Sequence, residues 1–285
     1  MLTDQQIRRR RNVRRTTIFT SLLAAALGLA VLATPAEAIV GGAPDGSDHP
    51  YVGESYNGVY HCSGELVSSR VYVTAAHCFS DTTSSYGTDR ATGAPIVGVT
   101  FASQGIDLTG PRYFGDYYYD PQYTTGKGLA NFDDHDVAVI IFNQAVPIAT
   151  HATLPTLGED TTLLSKAGLT VVGYGYEGYA RGGGGQPQPV ETDIRAQAPA
   201  SLDQTNGTVS GSFIKLAAQN ANNGTVCSGD SGGPDLLAGT NVVLAENSFV
   251  VSGLCSSIAY SYRLDTPAAQ NFIYSTAAAH GAPIG

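Results

Sequence analysis

The chain has no tryptophan, a single methionine and no two cysteines in a C-x-x-C spacing. The missing C-x-x-C pairs argue against a zinc ribbon or knuckle. No fixed-period repeat is present, which argues against a solenoid or propeller. The longest apolar stretch, residues 18–33, falls short of the ~20 residues that a membrane-spanning helix needs. Basic residues are scarce. The formal net charge is −9, from 15 Lys and Arg against 24 Asp and Glu. Six of those 15 bases and two of those 24 acids fall within the first 38 residues, which leaves residues 39–285 at −13. Such a surface repels nucleic acid and anionic lipid.

The N-terminal bases form a pattern. Arg8, Arg9, Arg10, Arg11, Arg14 and Arg15 precede the apolar stretch, and Ala36-Glu37-Ala38 places small residues where a signal peptidase reads. Residues 1–38 are therefore expected to be a signal peptide, with secretion to the extracellular space. Arg14-Arg15 before Ile18-Phe19 is compatible with twin-arginine as well as general export. The remainder is long enough for a substantial core, as one large domain or two small ones. It holds four cysteines, for which a disulfide framework is the default in a secreted chain. Three pairings are possible. We take the local one, Cys62 with Cys78 and Cys227 with Cys255. The first loop alone would contribute roughly 3 kcal/mol by chain entropy.

Short β-rich runs dominate: GELVSS, RVYVTAA, PIVGVTF, DVAVIIF, LTVVGYG, NVVLAENSFVV and IAYSYRL, separated by Gly, Asn, Asp, Ser and Thr clusters. This predicts an all-β sandwich or barrel. Residues 143–155 lack periodicity and read as a linker between halves of similar size, 39–145 and 146–285. Residues 181–189, RGGGGQPQP, read as a surface loop. One helix is predicted over about 266–280, with Thr266 as cap, Pro267 in the first turn and Gly281 as stop.

The chemistry concentrates in CSGDSGGPDL, residues 227–236. Ser231 lies among glycines, which permit positive φ and close approach of backbone to a ligand. A serine nucleophile needs a base, and the base needs an orienting group. Of the six histidines, His77 in VTAAHCF ends an apolar strand beside Cys78, so it would be held rigidly. Asp136 opens the apolar run VAVIIF, where a partly desolvated carboxylate needs a partner such as an imidazole N–H. His135 is adjacent, but neighbours on a strand face opposite ways. The acid-rich stretch between His77 and Asp136 fixes no ligand set for a metal such as calcium. We assign no metal and no cofactor.

The motifs IVGG (39–42), TAAHC (74–78), DVAV (136–139) and GDSGGP (229–234) follow the order and approximate spacing of the trypsin/chymotrypsin-like serine proteases, which the chain resembles from Ile39 to about Phe272. The resemblance implies two antiparallel six-stranded β-barrels with the active site in the cleft between them, and a C-terminal helix. It implies His77 as general base, Asp136 as its orienting carboxylate, Ser231 as nucleophile, and the N–H groups of Gly229 and Ser231 as oxyanion hole. It implies the same local disulfides. It also implies that Ile39, once an N-terminus, folds inward to pair its ammonium with Asp230. Because Ala36-Glu37-Ala38 abuts Ile39, signal removal and activation would then be a single cut.

The chain departs from that pattern in places. CSGEL carries Ser63 and Glu65 where the family has glycine and serine, Tyr60 replaces a frequent histidine, and GWG is GYG at 173–175. At the expected base of the specificity pocket stand Thr225 and Val226 with no acid, and Ser248 and Val250 fit the opposite wall. This disfavours Arg or Lys substrates and predicts a neutral, small or medium apolar P1 residue. The expected partners are polypeptide substrates and protein inhibitors, with no nucleic acid and no membrane after signal removal, and the chain is expected to be a monomer. Two rival readings fit part of the pattern. An α/β-hydrolase also uses G-x-S-x-G, but Gly232-Gly233-Pro234 opposes the helix that must follow the serine. A catalytically silent, protease-like binding protein has the same fold without the reaction.

Overall fold

The computed structural model describes residues 39–104, 112–124, 133–163, 166–192, 194–203, 209–218, 220 and 223–284. The expected signal peptide, 1–38, lies outside the described residues, as does the glycosylation sequon at Asn206. At the second sequon, Asn223 donates its Nδ2 to Ser201 Oγ at 2.9 Å.

The first half is a closed six-stranded barrel. Its strands are β2 (Val52–Tyr56), β3 (His61–Ser68), β4 (Val71–Thr74), β5 (Ile96–Thr100), β6 (Tyr113–Tyr119) and β7 (Ala138–Phe142). They pair antiparallel in the order β2-β3-β4-β7-β6-β5, and β5 returns to β2. Closure removes the sheet edge, which would otherwise expose unpaired N–H and C=O groups. β7 reads AVIIF and is buried along its whole length.

The second half is a seven-stranded sheet. It comprises β1 (Ala43–Pro44), β8 (Gly168–Gly173), β11 (Ala196–Ser201), β12 (Phe213–Leu216), β13 (Pro234–Leu237), β14 (Val243–Val250) and β15 (Ala259–Arg263), ordered β1-β11-β8-β13-β14-β15-β12. Its ends curl toward each other. Leu202, just past β11, bridges Leu216 of β12, and Ala217 N–H donates to Ser201 O. Six strands thus roll into a barrel joined by a single bridge rather than a full ladder, with β1 added on β11. The predicted loop at 181–189 is instead a hairpin. β9 (Gly178–Arg181) pairs with β10 (Pro187–Val190) around a glycine turn. Backbone pairing needs no apolar pattern, and this hairpin has none.

The helix, α1 (Pro267–Ala279), starts where expected, with Thr266 Oγ1 accepting the N–H of Ala269. It buries Ala269, Ile273 and Ala277 in the core shared with the first barrel and packs on β7. Fully burying one side chain of the size of Ile273 is worth about 1.5–3 kcal/mol. A second core, inside the second half, includes Ile39, Leu169, Val171 and Val226.

Arg195, at the start of β11, ties the halves together. Its Nε donates to Asp45 Oδ2 at 2.6 Å, Nη2 to Gly46 O at 2.9 Å and Nη1 to Val52 O at 3.0 Å. Both ion-pair partners are buried, and His49 Nδ1 lies against the other oxygen of Asp45.

Candidate active site

β4 ends in a short 3₁₀ turn, Ala76–Cys78, that carries His77. Three features fix the turn. Cys78 is bonded to Cys62 on β3. Tyr117 Oη donates to the carbonyls of Ala75 (3.0 Å) and Ala76 (2.7 Å). The backbone N–H of His77 donates to Asp136 Oδ1 at 2.9 Å. The ring follows: Nδ1 lies 2.9 Å from Asp136 Oδ2, with the imidazole 30% exposed and the carboxylate buried. Burial opposes a charge on Asp136, but His77 and the hydroxyl of Ser248 outweigh it and hold the carboxyl below its usual range. Burial likewise opposes protonation of His77, and Asp136 more than offsets it, so the imidazole is raised above the ordinary histidine value. His135 points elsewhere, its Nδ1 being 3.1 Å from Asp120 Oδ2.

Ser231 sits in the loop between the second disulfide, Cys227–Cys255, and β13. Ser63 N–H donates to Ser231 O at 2.8 Å, and Gly232 N–H donates to Asn247 O at 2.7 Å. A Cβ on Gly232 would lie 2.2 Å from Thr74 Oγ1 and 2.6 Å from Ala75 N, so this loop presses on the segment that leads into His77. Ser231 Oγ and His77 form no hydrogen bond in this structure. Such bonds are commonly loose before substrate binds. Gly229 has φ +96°, a conformation that favours glycine. Cys227, Asp230, Gly232 and Gly233 all donate their N–H groups within the protein. Among the described residues, the N–H groups of Gly229 and Ser231 donate to nothing.

Asp230 is fully buried and accepts the N–H groups of Gly175 and Cys227, each at 2.8 Å. Among the described residues no basic side chain pairs with it, and burial pushes its carboxyl well above the usual range. A Cβ on Gly175 would come within 2.5 Å of it, so the GYG segment must be glycine to seat this side chain. Ile39 is fully buried in the second core, and Val40 and Thr225 exchange backbone hydrogen bonds at 3.1 Å.

Of the residues expected to line a specificity pocket, Thr225 and Val226 are buried and Val250 is half-buried. Ser248 has a further role that its position in the sequence does not reveal: its Oγ donates to Asp136 Oδ2 at 2.5 Å. The signals for Tyr117 and Ser248 are tertiary, since both reach the site across the sheet order.

Next to the site, where β3 meets β13, lie three acids, Glu65, Asp235 and Glu246, each 0% exposed. Among the described residues, no arginine, lysine or histidine pairs with any of them, and no oxygen of Glu65 or Glu246 has a hydrogen-bond partner. Burial, reinforced by Asp235, pushes Glu65 well above its usual range. Burial, reinforced by Glu65, Asp136 and Asp235, does the same to Glu246. Burial raises Asp235 to about 7, opposed by Ser261. Among the described residues, the one group of three with metal-ligand geometry is Cys62, His77 and Cys78, whose sulfurs are already joined to each other.

A closed β-barrel and a rolled β-sheet, with a histidine held by a buried aspartate on the first and a serine in a glycine-rich loop on the second, define the chymotrypsin-like class of folds. The chain belongs to the Trypsin family, whose model matches residues 39–270. A comparison with curated proteins finds no match. Among solved structures, human heparin binding protein aligns with TM-score 0.58 and 17% identity, over 80% of this chain and 92% of that one. HL collagenase aligns with TM-score 0.56 and 19% identity, over 87% of this chain and 97% of that one. At such identities the likeness is one of fold.

Proposed function

We propose that this protein is a secreted serine endopeptidase acting through Ser231, His77 and Asp136. The observation that carries the proposal is the pair of unused N–H groups, Gly229 and Ser231, flanking a serine whose loop packs against the segment of an Asp-oriented histidine. Unsatisfied backbone donors are rare in folded proteins and suit a developing oxyanion. In the proposed reaction, Ser231 Oγ attacks the scissile carbonyl carbon while its proton passes to His77 Nε2. Asp136 stabilises the imidazolium, and the carbonyl oxygen takes its charge against the two N–H groups. His77 then protonates the leaving amine, and water hydrolyses the acyl-enzyme by the same steps.

The pocket reading supports a neutral, small or medium apolar P1 residue. Thr225 and Val226 form its base without a charge, and the Thr225 hydroxyl is engaged by Ser257 O at 3.3 Å. Activation follows from the buried Asp230, which has no cationic partner among the described residues. Removing residues 1–38 would create an ammonium at Ile39 to supply one. The binding-protein reading lacks a supporting charge pattern, because the net −13 of residues 39–285 opposes binding of a polyanion such as heparin.

The test combines N-terminal sequencing of secreted protein, fluorophosphonate labelling and a panel of peptides varied at P1. We expect a chain beginning at Ile39, labelling at Ser231, and fastest cleavage after small apolar residues. A correctly processed chain that fails to label is a binding protein. Fastest cleavage after Arg or Lys overturns the pocket assignment.

A further inference from the structure

We propose that Ser63 is a positioning residue for the oxyanion site, clamping the Gly229 peptide through its side chain; the inference rests on the serine-endopeptidase reading. Ser63 is the first of the two residues that depart from the family pattern after Cys62. Its hydroxyl is fully buried on β3, in the other half of the molecule from the loop it holds. Ser63 Oγ donates to Gly229 O at 2.8 Å and accepts the N–H of Tyr174 at 2.9 Å. Its backbone is pinned as well: Ser63 N–H donates to Ser231 O, and Thr74 Oγ1 donates to Ser63 O, both at 2.8 Å. One residue of the first barrel therefore touches both residues whose N–H groups are unused, and reaches the GYG segment that seats Asp230.

The need for such a clamp is local. Gly229 must be glycine, because its φ is +96° and a Cβ would meet Gly175 Cα and His61 Cε1 at 2.8 Å. A glycine that can adopt this conformation can also leave it. Rotation at Gly229 would turn its N–H away from the oxyanion. The N–H and the carbonyl of Gly229 lie on the two peptide groups that flank its Cα: Tyr176 N–H, donating to Ser228 O at 2.9 Å, holds the preceding one and Ser63 Oγ holds the following one, so the two bonds together restrain rotation at Gly229 without occupying its N–H. Ser63 does not touch substrate and donates nothing to the reacting atoms, so its effect should appear in the transition state and not in ground-state binding.

The experiment uses the processed enzyme, wild type against S63A and S63G, the latter carrying the family's residue. The readouts are kcat and KM on one peptide amide, Ki for a peptidyl trifluoromethyl ketone, the pH profile and a thermal melt. Removing a direct oxyanion donor costs ~10²–10³ in kcat, and an indirect clamp should cost about tenfold. We expect that loss in kcat with KM unchanged, an equal weakening of the trifluoromethyl ketone, and an unmoved acid limb, since His77 is untouched. If S63A does not fold, S63G decides. Variants within about twofold of wild type in kcat overturn the proposal, as does a loss spread over KM with a shifted acid limb, or failure of both variants to fold. A wild-type chain that neither cleaves nor labels overturns this proposal together with the endopeptidase reading.

Discussion

Ser248 donates its hydroxyl to the oxygen of Asp136 that faces His77, at 2.5 Å against 2.9 Å for the imidazole. The carboxylate is thus shared between the two halves of the molecule, with Ser248 on β14 and His77 at the end of β4. Asp136 raises His77 above the ordinary histidine value. The proposed mechanism needs the neutral imidazole, so the acid limb of the kcat/KM profile should lie above ~6.5. In S248A, Asp136 loses a donor and becomes the stronger partner of the imidazolium. The limb should move to higher pH, and a pH–rate profile of the two proteins checks this.

Asp230 gives the second prediction. D230N removes the charge that an Ile39 ammonium would meet and keeps the shape. Losing one partner of a buried pair costs ~3–5 kcal/mol, enough to disorder the loop bearing Gly229. We expect D230N to lose at least about a hundredfold in kcat/KM, by the same arithmetic that makes ~1.4 kcal/mol a factor of ten. In the wild type, Asp230 should raise the α-amino group above ~7.7–8.0, with activity falling at alkaline pH as the amine loses its proton. Full activity in a chain beginning upstream of Ile39 overturns both expectations.

Glu65, Asp235 and Glu246 predict an acid-favoured fold. Their folded values are raised, so the folded state holds more protons than the unfolded chain. Stability should be greatest below the ordinary carboxyl range of ~4 and should fall as pH rises through about 7, the value for Asp235. Each retained proton contributes a slope of about 1.4 kcal/mol per pH unit. Asp45 and Asp136 are lowered and act oppositely at acid pH. Urea unfolding at pH 5 and pH 8 should therefore favour pH 5, and the triple variant E65Q/D235N/E246Q should flatten the difference. An unchanged slope would show that the three carboxyls titrate alike in both states.

Arg195 and Asp45 form the fourth test. R195A leaves Asp45 buried with His49 as its remaining partner. We expect a loss of about 3–5 kcal/mol by denaturant unfolding. R195M fills the space without the charge and leaves the same carboxylate exposed to the penalty. The double variant D45N/R195M should recover part of the loss, because the cost lies in an unpaired charge.

Much of this was legible in order along the chain. The seven β-rich runs named from the sequence are β3, β4, β5, β7, β8, β14 and β15, because each carries β-branched or other apolar residues between turn-forming clusters. The capped helix and both local disulfides also match. The other eight strands, β1, β2, β6, β9, β10, β11, β12 and β13, are short or have their apolar residues interrupted by Gly, Glu, Gln, Pro, Asp, Lys or Arg, and their pairing is decided by their neighbours. β13 reads PDLL, and its Asp235 is tolerable in a core only if it holds its proton.

The amino-acid sequence by itself determined which residues could react and which segments could pair, since both depend on residue type and local spacing. Tertiary structure alone decided that Ser248 shares Asp136, that Tyr117 pins the His77 turn, that Ser63 meets Gly229 across 166 residues, and that three acids share one buried interface. A hydrogen bond acts over about 3 Å, and a burial penalty acts only where water is excluded. Neither has any representation along a chain until barrel closure and the rolling of the second sheet bring distant residues together.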